Sequence, residues 1–317
     1  MAGRAAAGQP FDGVIPSSHA VRILTGAILP DGVDSVVLEE DCATDGQFVA
    51  FDGPVKRAIN TRQVREDVIE GALILPAGRV LTPPDLALLL AVGVGQVRVH
   101  LRLRVGVLST GDELLPDPSL PAAPHQIFDA NRPMLLALLA GWGFEAVDLG
   151  HAADDAAQIA ARLDQGPQDA DAILTSGWAL AGDKDHISRL LRERGNLSTW
   201  RIAVKPGRPL ALALWGGVPV FGLPGNPVAA LVCALVFARP ALSLLSGAGW
   251  SQQQGFRVPA AFIKRKKNGS ARISARAADR KRRGRGFRIG RIGADFRAQL
   301  GHRAGRTARC GLHHRAG

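Results

Sequence analysis

The sequence lacks several features that would place it in a well-known class of protein. Its three cysteines, Cys42, Cys233 and Cys310, are far apart and odd in number. They form neither a zinc-binding cluster nor a disulfide framework, so we expect a protein of the reducing cytoplasm. The first ten residues contain no apolar core of the kind that secretory signals carry. The longest apolar run, 228–238, is shorter than the ~20 residues that span a bilayer, so no membrane partner is expected.

Common catalytic motifs are also absent from the sequence. It contains no Walker A motif, no complete dinucleotide-binding glycine pattern, no HExxH and no nucleophile elbow. The chemistry must therefore be inferred from less common combinations of residues.

Positive charge is concentrated in one segment. The net charge is +11, but residues 255–317 hold 19 of the 39 basic residues and 2 of the 28 acidic ones. The preceding residues are therefore mildly acidic as a whole. The basic segment can bind polyanions non-specifically. Its few aromatic residues favour solvated charge over nucleic-acid recognition.

Four regions are predicted from the distribution of apolar residues. Residues 1–56 are predicted to be a partial, β-rich domain, and residues 57–102 a mixed, elongated linking region. Residues 103–249 are predicted to be an α/β domain. Residues 250–317 lack sustained periodicity and are rich in Arg, Gly and Ala, so we expect them to fold poorly.

The first two regions contain short apolar runs separated by turn residues. The elements predicted there are strands at 20–24, 35–38, 72–75 and 96–99 and a helix at 85–92.

Residues 103–249 alternate between strand patterns and helix patterns. The predicted strands are 105–108, 146–149, 172–175, 201–204 and 218–221, and the predicted helices are 131–141, 156–163 and 185–194. This alternation is typical of a mostly parallel sheet with helices on both faces. The predicted fold class is therefore α/β, preceded by the β-rich and mixed N-terminal regions.

Four loops follow predicted strands, at 109–113, 176–185, 205–208 and 222–227. The last reads Gly-Leu-Pro-Gly-Asn-Pro and is expected to be neither helix nor strand. Ligands bind beyond the carboxyl ends of the strands in a parallel α/β sheet, so we expect these loops to meet at one site.

The residue types in these loops favour the binding of an anion together with a divalent metal. Hydroxyls and glycine N–H groups can hold phosphates, and Lys205 and Arg208 can neutralise an oxyanion. Magnesium prefers carboxylate and water ligands. The candidate carboxylates are Asp112, Glu113, Asp183 and Asp185.

Purely structural explanations exist for each loop. The loop at 109–113 can be a turn with a helix cap, Lys205 and Arg208 can be solvated cations, and the loop at 222–227 can be a rigid connector.

Five stretches together resemble one known family. They are Ser-Thr-Gly-Asp-Glu-Leu from 109, Ile-Phe-Asp-Ala-Asn from 127, Ser-Gly…Gly-Asp-x-Asp from 176, Val-Lys-Pro-Gly-Arg-Pro from 204 and Phe-Gly-Leu-Pro-Gly-Asn-Pro-Val from 221. The combination resembles the molybdopterin molybdenumtransferases, the molybdenum insertases related to the gephyrin E domain. Residues 21–37 and 60–67 resemble the same family, and the similarity covers about residues 1–265.

The resemblance implies an activity. Family members insert molybdate into adenylylated molybdopterin and release AMP in a magnesium-dependent step, as homodimers in which the neighbouring subunit completes each site. It implies catalytic roles for Asp67, Glu113, Asp185 and Lys205, with Glu113 and Asp185 as magnesium ligands. The substrate-binding residues it implies are Ser109, Thr110, Gly111, Asp112, Ser176, Gly177, Asp183, Arg201, Arg208, Pro224, Gly225, Asn226 and Pro227.

The sequence departs from the family pattern at several places. It has no tyrosine and thus no Asp-Gly-Tyr-Ala segment, which predicts truncation at the front. Trp178 and Leu180 replace small residues of the loop after Ser176, and Arg65 replaces a glycine. Residues 258–267 resemble the start of the family's C-terminal β domain, but the sequence beyond them does not, which predicts an aberrant end.

Two other functions remain open at this point. A molybdopterin adenylyltransferase would share the α/β domain but would need neither the upstream region nor Leu-Pro-Gly-Asn-Pro. A catalytically impaired or inactive homologue that only binds ligand is favoured by Trp178 and by the missing N-terminal motif.

Overall fold

A computed structural model describes residues 1–178, 186–201, 204–205, 209–250, 271–272 and 307–311. The chain divides into two compact units, Met1–Ile74 and Leu75–Gly317.

The first unit is held together by two small sheets. Strands β1, Gly3–Ala5, and β2, Val21–Ile23, pair in parallel. After a short 3-10 helix at Glu39–Asp41, strands β3, Cys42–Thr44, and β4, Val49–Phe51, form an antiparallel hairpin. The strand predicted at 20–24 is thereby confirmed.

Two predicted strands of the first 75 residues are wrong. In the run 35–38, Val36 donates its N–H to the carbonyl of Ile59, and its own carbonyl accepts a hydrogen bond from the Asn60 side chain. Loop residues thus take the hydrogen bonds that a strand ladder would need. The run 72–75 begins in a turn, because the N–H of Ala72 bonds to the carbonyl of Ile69.

The second unit contains the remaining elements. In chain order they are α1 Pro83–Ala91, β5 Gln96–His100, β6 Arg104–Thr110, β7 Leu114–Leu115, β8 Ile127–Phe128, α2 Asn131–Gly141, β9 Glu145–Ala152, α3 Ala156–Asp169, β10 Ala172–Trp178, α4 His186–Glu193, β11 Ser198–Arg201, β12 Val204–Lys205, β13 Pro209–Trp215, β14 Val218–Pro224, α5 Pro227–Cys233, a π-helical turn Ala234–Ala238, α6 Arg239–Leu245, β15 Ala271–Arg272 and β16 Thr307–Gly311.

A six-stranded sheet forms the centre of this unit, in the order β11-β13-β14-β10-β6-β9. The four strands β14, β10, β6 and β9 are parallel, whereas β13 and β11 are antiparallel to their neighbours. The predicted mostly parallel sheet is confirmed, as are the helix Asn131–Gly141 and the helix that opens at Pro83.

Helices cover both faces of the sheet. On one face, Val105, Val107 and Phe221 pack with α2, α5 and α6. On the other face, Leu108 and Ile173 pack with α3 and α4. Alternate residues of one strand therefore serve two separate cores, as expected for strands buried on both sides.

The antiparallel edge differs from the prediction. A strand was predicted at 201–204, but β11 ends at Arg201, and β13 at Pro209–Trp215 was not predicted. Gly216 and Gly217 join β13 to β14, and both have positive φ, at +52° and +76°. A Gly-Gly pair between two apolar runs is a hairpin signal, because only glycine adopts this turn without strain.

The loop expected at 222–227 is shorter than predicted. Strand β14 continues through Pro224, and Pro227 is already the first residue of α5. Proline is tolerated at both places, because the strand ends at Pro224 and the first N–H of a helix needs no partner within it.

The apolar run at 228–238 belongs to a longer helical stretch. Pro227–Leu245 is 19 residues long and is apolar enough, by length and composition, to cross a membrane. The π-helical turn joins α5 to α6, and in it the N–H of Arg239 bonds to the carbonyl of Ala234, five residues back. In the most apolar part of Pro227–Leu245, 61% is buried inside the protein, which is typical of a core helix rather than of a membrane span.

Only short parts of the region 250–317 lie within the described residues. Strand β15 pairs with β12 in parallel, and β16 pairs with β5 in antiparallel orientation. The predicted poor folding of the remaining residues falls outside the described part of the chain.

Candidate functional site

Three parallel strands end side by side at one edge of the central sheet. Ser176 of β10 lies opposite Ser109 of β6 and Leu223 of β14. The segments that follow are the loop after Thr110, the residues 179–185, which lie outside the described part of the chain, and the start of α5. Three of the four loops predicted to share a site thus do leave the same edge of the sheet.

The backbones of these segments approach one another closely at two glycines. Gly177 has a φ of +104°, and a Cβ atom there would overlap the carbonyl oxygen of Thr110. A Cβ on Gly225 would lie 3.5 Å from the Cα of Gly177. Glycine is required at 177 by both its conformation and the lack of space. At these two glycines the segments therefore meet through backbone atoms rather than through side chains.

The loop after β6 carries two exposed carboxylates, Asp112 and Glu113. Its backbone is tied to the end of β9, because Gly111 donates its N–H to Ala152 at 3.3 Å. The carbonyl of Gly111 lies 2.8 Å from Nε2 of His151. Strands β7 and β8 close the other side of the loop, with Leu114 paired to Ile127. The loop is consequently fixed rather than free, although it contains little regular structure.

A polar network that is buried at Ser109 and Asp129 begins at the residue before Thr110 and this loop. The hydroxyl of Ser109 donates to the carboxylate of Asp129 at 2.5 Å. Arg132 donates from Nε to Asp129 at 3.2 Å and from a terminal nitrogen to Asp148 at 2.6 Å. Burial lowers the pKa of Arg132. The hydrogen bonds to Asp148 and Asp129 together raise the pKa by more than burial lowers it, so the net shift is upward. The guanidinium therefore remains charged between its two carboxylates.

Asn131 joins the start of α2 to the end of β14. Its Nδ2 donates to the carbonyl of Gly225 at 2.7 Å, and the residue is 7% exposed. Asn226 caps α5, because its side chain accepts the N–H of Ala229 at 3.1 Å. The positions of Gly225 and Asn226 are thereby set by two asparagine side chains.

Three buried side-chain atoms at this edge have no hydrogen-bond partner within the described residues. They are Oδ1 of Asn131, Oγ1 of Thr175 and Oγ of Ser176. Unsatisfied buried polar atoms are uncommon in folded proteins and often mark functional sites. They add to the polar side chains of Ser109 and Thr110 at the same strand ends.

The predicted site residues fall into three groups. Asp112, Glu113, Gly225, Asn226 and Pro227 are exposed at the strand ends. The buried or half-buried ones are Ser109, Thr110, Gly111, Ser176, Gly177 and Pro224. Asp183, Asp185 and Arg208 lie outside the described residues, and only the strand positions of Arg201 and Lys205 are described.

Asp67 belongs to the first unit and is exposed, 3.3 Å from a terminal nitrogen of Arg62. Among the described residues no group of three or more His, Cys, Asp or Glu side chains could hold a metal ion. The described part of the chain therefore supplies Glu113 alone of the predicted metal ligands.

Four site residues had no role in the sequence-based prediction: Asp129, Asn131, Arg132 and His151. Asp129 and Asn131 belong to the Ile-Phe-Asp-Ala-Asn stretch, so a polar cluster at a helix start was visible in the sequence. Nothing in the sequence indicated His151, since its contact with Gly111 depends on how two strands pair.

Two family models match the chain. Residues 2–93 match the MoeA N-terminal region, described as domain I and II, and residues 106–244 match a "Probable molybdopterin binding domain". Together they cover well over half of the sequence. The chain belongs to the molybdopterin molybdenumtransferase family.

Individual relatives agree with this assignment. The chain is 38% identical over 248 residues to the molybdopterin molybdenumtransferase of Haemophilus influenzae, covering 78% of this chain and 61% of the relative. It is 39% identical over 236 residues to molybdopterin molybdenumtransferase 2 of Mycobacterium tuberculosis, covering 72% and 58%. The chain thus spans about three fifths of the length of the curated relatives it matches.

Solved structures show the same fold. A molybdopterin biosynthesis MoeA protein from Pyrococcus horikoshii matches with a TM-score of 0.64 and 30% identity, covering 78% of this chain and 61% of that one. A second structure of a MoeA protein from that organism matches with a TM-score of 0.68 and 23% identity, over 97% and 79%.

Proposed function

We propose that this chain inserts molybdate into adenylylated molybdopterin with release of AMP. The observation that carries the proposal is the meeting of three strand ends, where the backbones at Thr110, Gly177 and Gly225 come together beside exposed carboxylates. A glycine-lined sheet edge of this kind lets a large planar or phosphorylated ligand approach the backbone.

The match of residues 2–93 to the MoeA N-terminal region favours the molybdenumtransferase over an adenylyltransferase. An adenylyltransferase would need the α/β domain alone. The binding-only alternative rests on Trp178 and on the missing N-terminal motif, and a measurement of AMP release distinguishes it from the enzyme.

Within the proposed reaction, the strand-end segments bind and the charged groups act on the transferred anions. Lys205 and Arg208 would hold molybdate or phosphate oxygens, and Arg201 would add positive charge. Backbone N–H groups near Gly177 and Gly225 would bind the nucleotide or the pterin phosphate, and Gly111 would let the ligand approach the neighbouring turn. The rigid stretch from Pro224 to Pro227 would form one wall of the pocket.

Magnesium belongs to this proposal as a cofactor held by Glu113 and Asp185. The ion accepts one or two protein carboxylates and keeps several waters, so an exposed carboxylate such as Glu113 suits it. When bound, magnesium would neutralise charge on the phosphate that leaves as AMP.

The assembly and location of the enzyme complete the proposal. We infer a homodimer in the cytoplasm, in which Asp67 of one subunit reaches the site of the other. The basic segment after residue 255 would bind polyanions through its charge alone. Light scattering on the purified chain tests the dimer, and a monomer with full activity would exclude it.

The activity is tested by incubating the chain with adenylylated molybdopterin, molybdate and magnesium and measuring AMP. We expect AMP release that requires all three and is lost in Glu113→Gln and reduced in Lys205→Ala. Asp117→Asn changes an exposed carboxylate between β7 and β8 that bonds to Ser119, and it should leave the rate unchanged. Binding of the substrate without AMP release would support the binding-only alternative instead.

A further inference from the structure

The loop that carries Glu113 is fastened by three hydrogen bonds to the end of β9 and to the connection that follows it. Gly111 donates its N–H to Ala152, and the side chain of Asp112 accepts the N–H of Asp154 at 2.9 Å. The third bond joins Nε2 of His151 to the carbonyl of Gly111 at 2.8 Å. In this third bond the partner group is a side chain of β9 rather than a backbone group, so the bond depends on the identity of residue 151.

His151 reaches Gly111 because β9 contains a bulge. Val107 of β6 is paired with Asp148 and Ser109 with His151, so that Leu149 and Gly150 together face a single residue of β6. Gly150 has a φ of +78°, which glycine adopts without strain. In a regular pairing Gly150 would stand opposite Ser109, and the imidazole would be displaced by one position.

The bulge is itself held by charged side chains. The carboxylate of Asp148 accepts the N–H of Gly150 at 2.8 Å through one oxygen. Its other oxygen accepts from Arg132, which also bonds to Asp129 beneath the loop. The same polar network therefore bonds to Ser109 before the loop and holds the bulge that positions His151.

Movement of Gly111 would be transmitted directly to Glu113. A Cβ on Gly111 would lie 2.5 Å from one carboxylate oxygen of Glu113 and 2.8 Å from the other, so the carboxylate packs against Gly111. The carbonyl of Gly111 also accepts the N–H of Leu114 at 3.2 Å. One carbonyl group thus receives both the bond that closes the turn around Glu113 and the bond from His151.

We propose that His151 is a positioning residue that fixes the Gly111–Glu113 turn and so places the Glu113 carboxylate for the reaction. A carbonyl oxygen can only accept, so Nε2 carries a hydrogen in this contact. A glutamine side chain can offer an equivalent N–H, whereas alanine cannot. The role of Glu113 rests on the proposed function, but the fixing of the turn does not.

The test compares His151→Ala, His151→Gln and Gly150→Ala in the full chain. Amide hydrogen exchange at Gly111 and Leu114 reports the order of the turn, and AMP release reports kcat and KM. We expect faster exchange at both amides and a fall in kcat of about ten- to a hundredfold in His151→Ala, with KM little changed. His151→Gln should recover most of both, and Gly150→Ala, which keeps the imidazole but strains the bulge, should behave like His151→Ala.

Asp164→Asn is the matched control. Asp164 accepts hydrogen bonds from Arg194 and from Trp215, so the change weakens packing between other elements of the same unit. It should leave the exchange of Gly111 and Leu114 and the value of kcat as in the wild type. If His151 contributed only to general stability, His151→Ala would match Asp164→Asn both in the exchange of Gly111 and Leu114 and in kcat.

Four outcomes decide the matter. Unchanged exchange at Gly111 and Leu114 in His151→Ala would overturn the proposal, and so would faster exchange with an unchanged kcat. If the wild type releases no AMP, the proposed function fails, while the exchange data still decide whether His151 fixes the turn. If His151→Ala does not fold, the comparison of His151→Gln with Gly150→Ala supplies the same answer.

Discussion

The hydroxyl of Ser109 donates its hydrogen to the carboxylate of Asp129, 2.5 Å away, and neither residue is more than 7% exposed. The hydroxyl hydrogen is therefore committed, and Ser109 can offer a ligand only its lone pairs. We expect Ser109→Ala to lower the free energy of unfolding by about 2 kcal/mol, since it removes a hydrogen bond to a buried charge. Urea unfolding measures this loss.

Ser119→Ala provides the comparison for Ser109, because its hydroxyl donates to the exposed carboxylate of Asp117. That change should cost less than about 0.5 kcal/mol. Equal losses in the two variants would show that burial adds nothing to the Ser109–Asp129 bond.

Gly177→Ala should destabilise the chain far more than Gly225→Ala. At Gly177 a methyl group would overlap the carbonyl of Thr110 and the φ of +104° is unfavourable, whereas at Gly225 the methyl would make an ordinary 3.5 Å contact. We expect a loss of about 2 kcal/mol or more for the first variant and little for the second. Thermal unfolding of both proteins gives the comparison, and a reversed order would be incompatible with this packing.

The stability contributed by Asp85 should depend on pH. This carboxylate accepts hydrogen bonds from Arg79 and from Thr82 at the start of α1, and these lower its pKa from 3.8 to about 2. A lowered pKa in the folded state stabilises the fold above pH 4, and that contribution is lost as the pH falls from about 4 to about 2. The wild type should therefore have a higher free energy of unfolding than Asp85→Asn above pH 4, and this difference should disappear between about pH 4 and pH 2.

Urea unfolding at several pH values follows the difference between the two proteins. Asp12→Asn changes an exposed carboxylate of the first unit and should produce no comparable change in the profile. A difference between wild type and Asp85→Asn that is constant from pH 6 to pH 2 would contradict the assignment.

Arg65 occupies a backbone conformation that favours glycine, with a φ of +73°. Arg65→Gly relieves the strain of this conformation, while the greater entropy of glycine in the unfolded chain opposes folding. The net effect should be a gain of about 0.5–1 kcal/mol in the free energy of unfolding of the first unit. Arg57→Gly, at an exposed position without positive φ, should be destabilising instead. Thermal unfolding of the two variants should thus give shifts of opposite sign.

The basic segment should account for any binding to polyanions. A chain that ends at residue 263 lacks 18 of the 39 basic residues and should no longer bind heparin. Binding by the full chain should weaken steeply as salt is added, because it depends on the release of counterions. Heparin binding that survives the truncation, or that is insensitive to salt, would place the binding surface in the acidic part of the chain.

Much of the α/β unit could be predicted because its signals are local. The helix Asn131–Gly141 begins with a proline in its first turn and ends near glycines, and its predicted bounds match the structure. The strands around Val105 and Ala172 are short apolar runs with few alternative conformations. The runs at 35–38 and 72–75 look equally strand-like, but neither has a partner strand, and a strand without a partner leaves its backbone unsatisfied.

The sequence by itself determined the fold class and the family, together with the set of loops from which the candidate site is built. These depend on apolar periodicity and on residue order, which local physics translates directly into strands, helices and turns. The tertiary structure alone decided that Ser109 is bonded to Asp129 and that a bulge at Leu149 and Gly150 brings His151 to Gly111. Such contacts depend on the register between strands that are distant in the chain, and a shift of one residue changes every side-chain partner.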